Sequence, residues 1–184
     1  TVLRWDGKVW SQAISPERFP RYQWAGVWAA APNDVWLAGS VPPPDKAEGT
    51  LLHWDGKTFT PYSLQGLRPF RLFGFSTGDI WTVGEASGQE ATAHWDGTRW
   101  TPVPVQAPSA TVLQSVWGSG PADLWALGSG GVLHWDGTVW KRVILADQVQ
   151  GISPQGIWGT GKDDVWLASG RYVRHWDGRK WQPV

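Results

Sequence analysis

Seventeen tryptophans, four histidines and two recurring sets of aspartates are the side chains whose spacing could do chemistry. Histidines suggest a metal, carboxylates a general acid and base, and tryptophans a platform for a sugar or a cation. Position argues against the first. His53, His94, His134 and His175 fill one repeated place, with Arg4 there in a fifth copy. Side chains in successive units stand well beyond the roughly 2.0–2.1 Å of a shared Zn–N bond. Each imidazole is therefore expected to hydrogen-bond a neighbouring strand or turn carboxylate, and no metal or cofactor is expected.

The carboxylates lead to the same place. A retaining glycosidase needs two carboxyl groups roughly 5–5.5 Å apart. The four glutamates (Glu17, Glu48, Glu85, Glu90) and three tyrosines (Tyr22, Tyr62, Tyr172) read as scattered. Asp55, Asp96, Asp136 and Asp177 sit in a turn, and Asp34, Asp79, Asp123 and Asp164 precede a strand. Asx-type hydrogen bonds to nearby backbone are expected for both sets. No G-x-S-x-G, H-E-x-x-H or phosphate-cradling glycine loop is present. The chain is not expected to be an enzyme.

Sixteen of the seventeen tryptophans belong to a repeat. The hairpin VLRWDGKVW (2–10) returns as LLHWDGKTF (51–59), TAHWDGTRW (92–100), VLHWDGTVW (132–140) and VRHWDGRKW (173–181). Its first Trp residues are 49, 41, 40 and 41 apart. Between the copies runs a second unit with aromatics eight apart: Trp28 and Trp36, Phe73 and Trp81, Trp117 and Trp125, Trp158 and Trp166. A residue type demanded by every unit is read first as packing between units, with repeated sugar platforms as the other reading. Trp24 is the exception, since Pro69, Leu113 and Pro154 stand at its offset in the other units.

The elements that must position these residues are strands. Asp-Gly between short β-prone runs predicts a two-residue type I′ hairpin turn, and no window keeps a helical apolar period. Each unit yields four strands, in the fourth about 113–118, 123–128, 131–136 and 138–143. Four antiparallel strands per forty residues predict an all-β fold, a β-propeller of four-stranded blades. A half blade falls at 1–14 and full blades at about 22–63, 68–104, 112–145 and 154–184. Three readings of the ring are open: five blades with a thin first one, a piece of a longer propeller, or closure by a second copy. Five blades with an incomplete N-terminal blade is the expectation, as one domain over 1–184.

Trp54-Asp55, Trp95-Asp96, Trp135-Asp136 and Trp176-Asp177 close the third strand, and a D-[VIL]-W run opens the second. These motifs resemble the WD-repeat and Asp-box propeller superfamily, and most of all the Trp-rich repeats of secreted bacterial proteins. The resemblance implies strands a to d from the inner to the outer edge of each blade. It also implies an extracellular or periplasmic bacterial setting.

Composition narrows the partners. Sixteen acidic and sixteen basic residues cancel, which argues against nucleic acid. No apolar run could span a bilayer. Cysteine is absent, which excludes disulfides and thiolate metal sites. A chain opening on Thr1, without a signal peptide, is read as a mature product or an excised piece.

In the blade layout the a–b and c–d turns share one end, and the b–c and d–a loops share the other. The first set is uniform. The second includes an insertion at 40–50 and d–a connections 15–23, 64–71, 105–110 and 146–155 of differing character. Irregularity on a regular scaffold is where recognition tends to lie. That end also collects Arg18 and the candidate ligand-binding residues Arg21, Tyr22, Trp24, Arg68, Phe70 and Arg71. The expected function is non-enzymatic binding of a protein partner there, with a carbohydrate-binding lectin as the alternative.

Overall fold

The computed structural model describes residues 1–15, 17–19, 21–41, 49–64, 66–145, 154–170 and 172–184. Most of the 40–50 insertion and most of the 146–155 connection lie outside the described residues. Among those described, the regular elements are all strands. A two-stranded sheet holds β1 (Val2–Trp5) and β2 (Trp10–Ile14). The first four-stranded sheet holds β3 (Gln23–Ala31), β4 (Asp34–Ser40), β5 (Gly49–Trp54) and β6 (Phe59–Leu64). The second holds β7 (Leu67–Ser76), β8 (Asp79–Ala86), β9 (Gln89–Trp95) and β10 (Trp100–Val103). The third is β11 (Leu113–Gly120), β12 (Asp123–Gly128), β13 (Gly131–Trp135) and β14 (Trp140–Leu145). The last is β15 (Pro154–Gly161), β16 (Asp164–Ser169), β17 (Tyr172–Trp176) and β18 (Trp181–Pro183).

Strand order within every sheet follows the chain and all pairings are antiparallel. The first strands of successive sheets are neighbours, β3 beside β7, β7 beside β11 and β11 beside β15. This is a β-propeller of four complete blades and an incomplete N-terminal one. The inner a strands approach so closely that a Cβ on Gly26 would lie 2.8 Å from the Phe70 carbonyl.

The core lies between blades and is built from one repeated contact. Trp36 of the first full blade meets Trp95 and Trp100 of the next at 5.0 and 5.5 Å. Trp81 meets Trp135 and Trp140 at 5.0 and 5.8 Å, and Trp125 meets Trp176 and Trp181 at 5.4 Å each. In each case one contact is tilted and the other edge-to-face, the orientations that the ring quadrupole favours. The tryptophan repeat is thus the blade–blade interface.

The hairpin turn differs from the sequence expectation. Trp5 pairs with Trp10 and Trp135 with Trp140, so four residues separate the strands rather than two. Only the glycine takes a left-handed φ, 99° at Gly7 and 92° at Gly137. A type I′ turn needs positive φ at the aspartate as well. The Asp carboxylate closes the larger loop instead: Asp136 Oδ1 accepts the Thr138 and Val139 N–H groups, both at 3.0 Å. Asp55, Asp96 and Asp177 repeat these bonds. Consequently β14 starts at Trp140 and not at 138.

These turns carry a pH prediction. The Thr98 hydroxyl, helped by the Arg99 and Thr98 N–H groups, lowers the Asp96 pKa to about 2. The Thr138 hydroxyl and the Lys141 ammonium hold Asp136 well below the usual carboxylate range. A depressed folded-state pKa stabilises above the unfolded value and is lost as pH falls through the folded one. Melting temperature is expected to fall as pH drops from about 4 to about 2. Asp96→Asn with Asp136→Asn should fall less over that interval. Parallel acid profiles from fluorescence-detected melts would remove the turns as the cause.

Candidate functional site

The four histidines are held by carboxylates. His53 Nε2 lies 2.8 Å from Asp34, His94 2.8 Å from Asp79, His134 2.7 Å from Asp123 and His175 2.7 Å from Asp164. Register explains why: each histidine is the cross-strand partner of the b-strand tryptophan, and its ring lies 4.2–4.6 Å from that indole. The imidazole–carboxylate bond matches the sequence reading. These aspartates bond a histidine side chain, where the sequence predicts Asx-type bonds to backbone. Asp123 is lowered despite the opposing effect of its burial, because His134 and the Ser119 hydroxyl both bond it.

The irregular end is built from two blades. Arg21 is exposed at φ 73°, a left-handed conformation that costs a non-glycine residue on the order of 1 kcal/mol or more. Ser87, in the β8–β9 turn, and Ala107, after β10, are the other non-glycine residues with positive φ. All three belong to the b–c and d–a connections. At the opposite end five glycines take up the positive φ of the Asp-Gly turns. Strain carried by ordinary side chains is thus concentrated at one end of the propeller.

The six candidate residues reach this end in different states. Tyr22 and Trp24 stack at 5.4 Å, and Phe19 meets both edge-on. Tyr22 also bonds the Thr50 hydroxyl at 3.2 Å. Trp24 and Phe19 pack on buried Ile14, Leu37 and Leu52, so they join the half blade to the next one. Arg68 pairs with Glu85 at 3.1 Å and lies 5.8 Å over the Phe70 ring. The Arg71 guanidinium donates to the carbonyls of Ala25 and Phe70, tying the second full blade to the first beside Trp24. The structure therefore brings Tyr22 and Trp24 together, brings Arg68 to Phe70, and holds Arg71 on the backbone at Ala25. Arg18 lies 5.2 Å over Phe59 and 5.8 Å over Phe19, at the edge of the Tyr22–Trp24 cluster.

The glutamates correct a second expectation. Glu85 and Glu90 are direct cross-strand partners and both are buried. Each is engaged by a different arginine: Arg68 on Glu85, and Arg142 of the third full blade on Glu90. Glu90 also accepts the Ser109 N–H at 2.9 Å and the Thr111 hydroxyl at 3.2 Å. No periodic signal marks this pair, because it joins residues 52 apart that have no repeat counterpart. Among the described residues no group of three or more His, Cys, Asp or Glu could hold a metal.

The fold and this two-ended surface define the class, a Trp-packed β-propeller. No protein-family model and no curated protein matches the sequence. The solved structure of YCF48 from Cyanidioschyzon merolae is similar at 15% identity and TM-score 0.56, over 89% of this chain and 59% of that one. A structure of YCF48 bound to a D1 peptide matches at 15% identity and TM-score 0.43, over 96% of this chain and 71% of that one. This chain therefore spans less than two thirds of the Cyanidioschyzon protein. At 15% identity the likeness to the Cyanidioschyzon structure speaks for the fold alone.

Proposed function

We propose that the protein is a non-enzymatic scaffold that binds a protein partner through its b–c/d–a end. The observation that carries this reading is the gathering of all described strained non-glycine residues there, beside arginine and aromatic side chains from two blades. Backbone strain is retained where a surface must be preorganised, and arginine and aromatic groups supply the anchors of protein interfaces. Among the described residues the Asp-Gly end carries positive φ at glycines alone. The recurring W-D and D-[VIL]-W residues support placing the repeat with the WD-repeat and Asp-box propellers.

A photo-crosslinking amino acid at position 21 or 87 should give adducts in extract from the source cell. The same group at position 57 or 138 should give none. Adducts from the Asp-Gly end alone would end the proposal. The b–c/d–a end is also expected to tolerate Arg21→Glu with an unchanged melting temperature while losing the adduct at position 87. The lectin alternative draws on Trp10 and Trp158, which are 67% and 61% exposed and present indole faces to solvent. A broad glycan array without binding removes it.

A further inference from the structure

The outer strand of each blade carries a second regularity, which the tryptophan packing does not use. Among the described residues β2, β6, β10, β14 and β18 are edge strands, each with one neighbour in its sheet. An open strand edge is a template on which another chain can pair. Which backbone groups lie on that edge follows from the alternation of bonded and non-bonded pairs in an antiparallel ladder. The Asp55 N–H bonds the Thr58 carbonyl, and Trp54–Phe59, His53–Thr60 and Leu52–Pro61 are the successive pairs beyond it. Leu52–Pro61 is therefore a non-bonded pair, and residue 61 turns its backbone nitrogen away from β5. Pro102 and Pro183 hold the same place in β10 and β18, and all three prolines are exposed. Each removes an N–H that would face outward.

The two outer strands without this proline are interrupted by other means. At the matching place Gln12 of β2 pairs with Leu3, and Arg142 of β14 with Leu133. The next pairs are Val2–Ile14 and Val132–Ile144, so Ala13 and Val143 are extra residues that bulge their strands. The registers of β6, β10 and β18 contain no such shift. On β14 the chain also lays Val105 beside Trp140, with the Gln106 N–H on the Trp140 carbonyl at 3.2 Å. Proline and bulge replace one another at a single position of the blade. Packing does not account for the prolines, because they are exposed.

We infer that this position is a device against edge pairing, which keeps the rim of the propeller from joining a second copy of the chain. A two-fold contact would set β6 antiparallel to β6, each strand meeting its own equivalent. The outward positions of β6 are Phe59, Pro61 and Ser63, so the proline removes the donor at the centre of that contact.

Pro61→Thr in the full chain restores the donor with a β-prone residue. Sedimentation velocity at about 0.1 mM is expected to show a dimer with Kd below about 0.1 mM, where the unaltered chain sediments as a monomer. Adding Ser63→Pro moves the block to the next outward position and should return the monomer. A Pro61→Thr chain that stays monomeric at an unchanged melting temperature overturns the inference. So does a dimer that Ser63→Pro leaves intact, or an unaltered chain that dimerises equally well. If Pro61→Thr lowers the melting temperature, β10 supplies the second reading. Pro102→Thr with Pro104→Thr, both exposed, should then give the dimer, and a monomer there overturns the inference.

Discussion

Trp81→Ala is expected to lower the unfolding free energy by about 3–5 kcal/mol, while Trp166→Ala lowers it by no more than about 1.5 kcal/mol. The two tryptophans hold the same b-strand position of the repeat and lie against equivalent histidines, His94 and His175. What separates them is the next blade. Trp81 is buried against Trp135 and Trp140, and its removal leaves a cavity between two sheets that cannot collapse without shifting both. Trp166 is 39% exposed, and its Nε1 bonds Asp164 at 2.8 Å. Truncating it opens no cavity, because no later blade covers it among the described residues. Urea denaturation monitored by far-ultraviolet circular dichroism measures both. Equal losses would mean that inter-blade stacking contributes little and that the histidine contact dominates.

This contrast also shows what could be read from the residues. The inter-blade tryptophans were legible because packing makes the same demand in every blade, and a demand repeated five times becomes a period. A carboxylate partner for each histidine was legible for the same reason, but not that Asp34, Asp79, Asp123 and Asp164 supply it. The turn was not, because the dipeptide Asp-Gly does not reveal that the carboxylate will accept the N–H groups two and three residues on. That bond, seen at Asp55 with Lys57 and Thr58, enlarges the loop and delays the d strand. Trp24 was visible as an irregularity, but not its companion Phe19, since a single aromatic in a loop carries no spacing. Its burial against Ile14 follows from the half blade, which lacks the inner strands that cover this face elsewhere. Where sequence reasoning had only a non-repeating contact to find, it found the neighbourhood and missed the partner.

Arg142→Leu is the second substitution expected to act strongly, with a loss of about 3–5 kcal/mol. The Glu90 side chain is fully buried, and the Arg142 side chain is 13% exposed. Removing the guanidinium strands an ionised carboxylate between the second and third full blades, and only the Ser109 N–H and Thr111 hydroxyl remain to hold it. The Gly130 carbonyl, which accepts Arg142 Nη1 at 2.7 Å, loses its donor as well. Glu90→Leu alone should also be costly, because the arginine then lacks its counter-charge and the 109–111 segment lacks its acceptor. The double variant is expected to recover part of the combined loss, since burying neither charge avoids both desolvation penalties. A double-mutant cycle by urea denaturation reads the coupling directly. A sum of single losses equal to the double would show that the two groups act independently, and that the buried pair does not fasten these blades together. A coupling above about 1 kcal/mol would show that the junction under the irregular end is held by charge as well as by tryptophan.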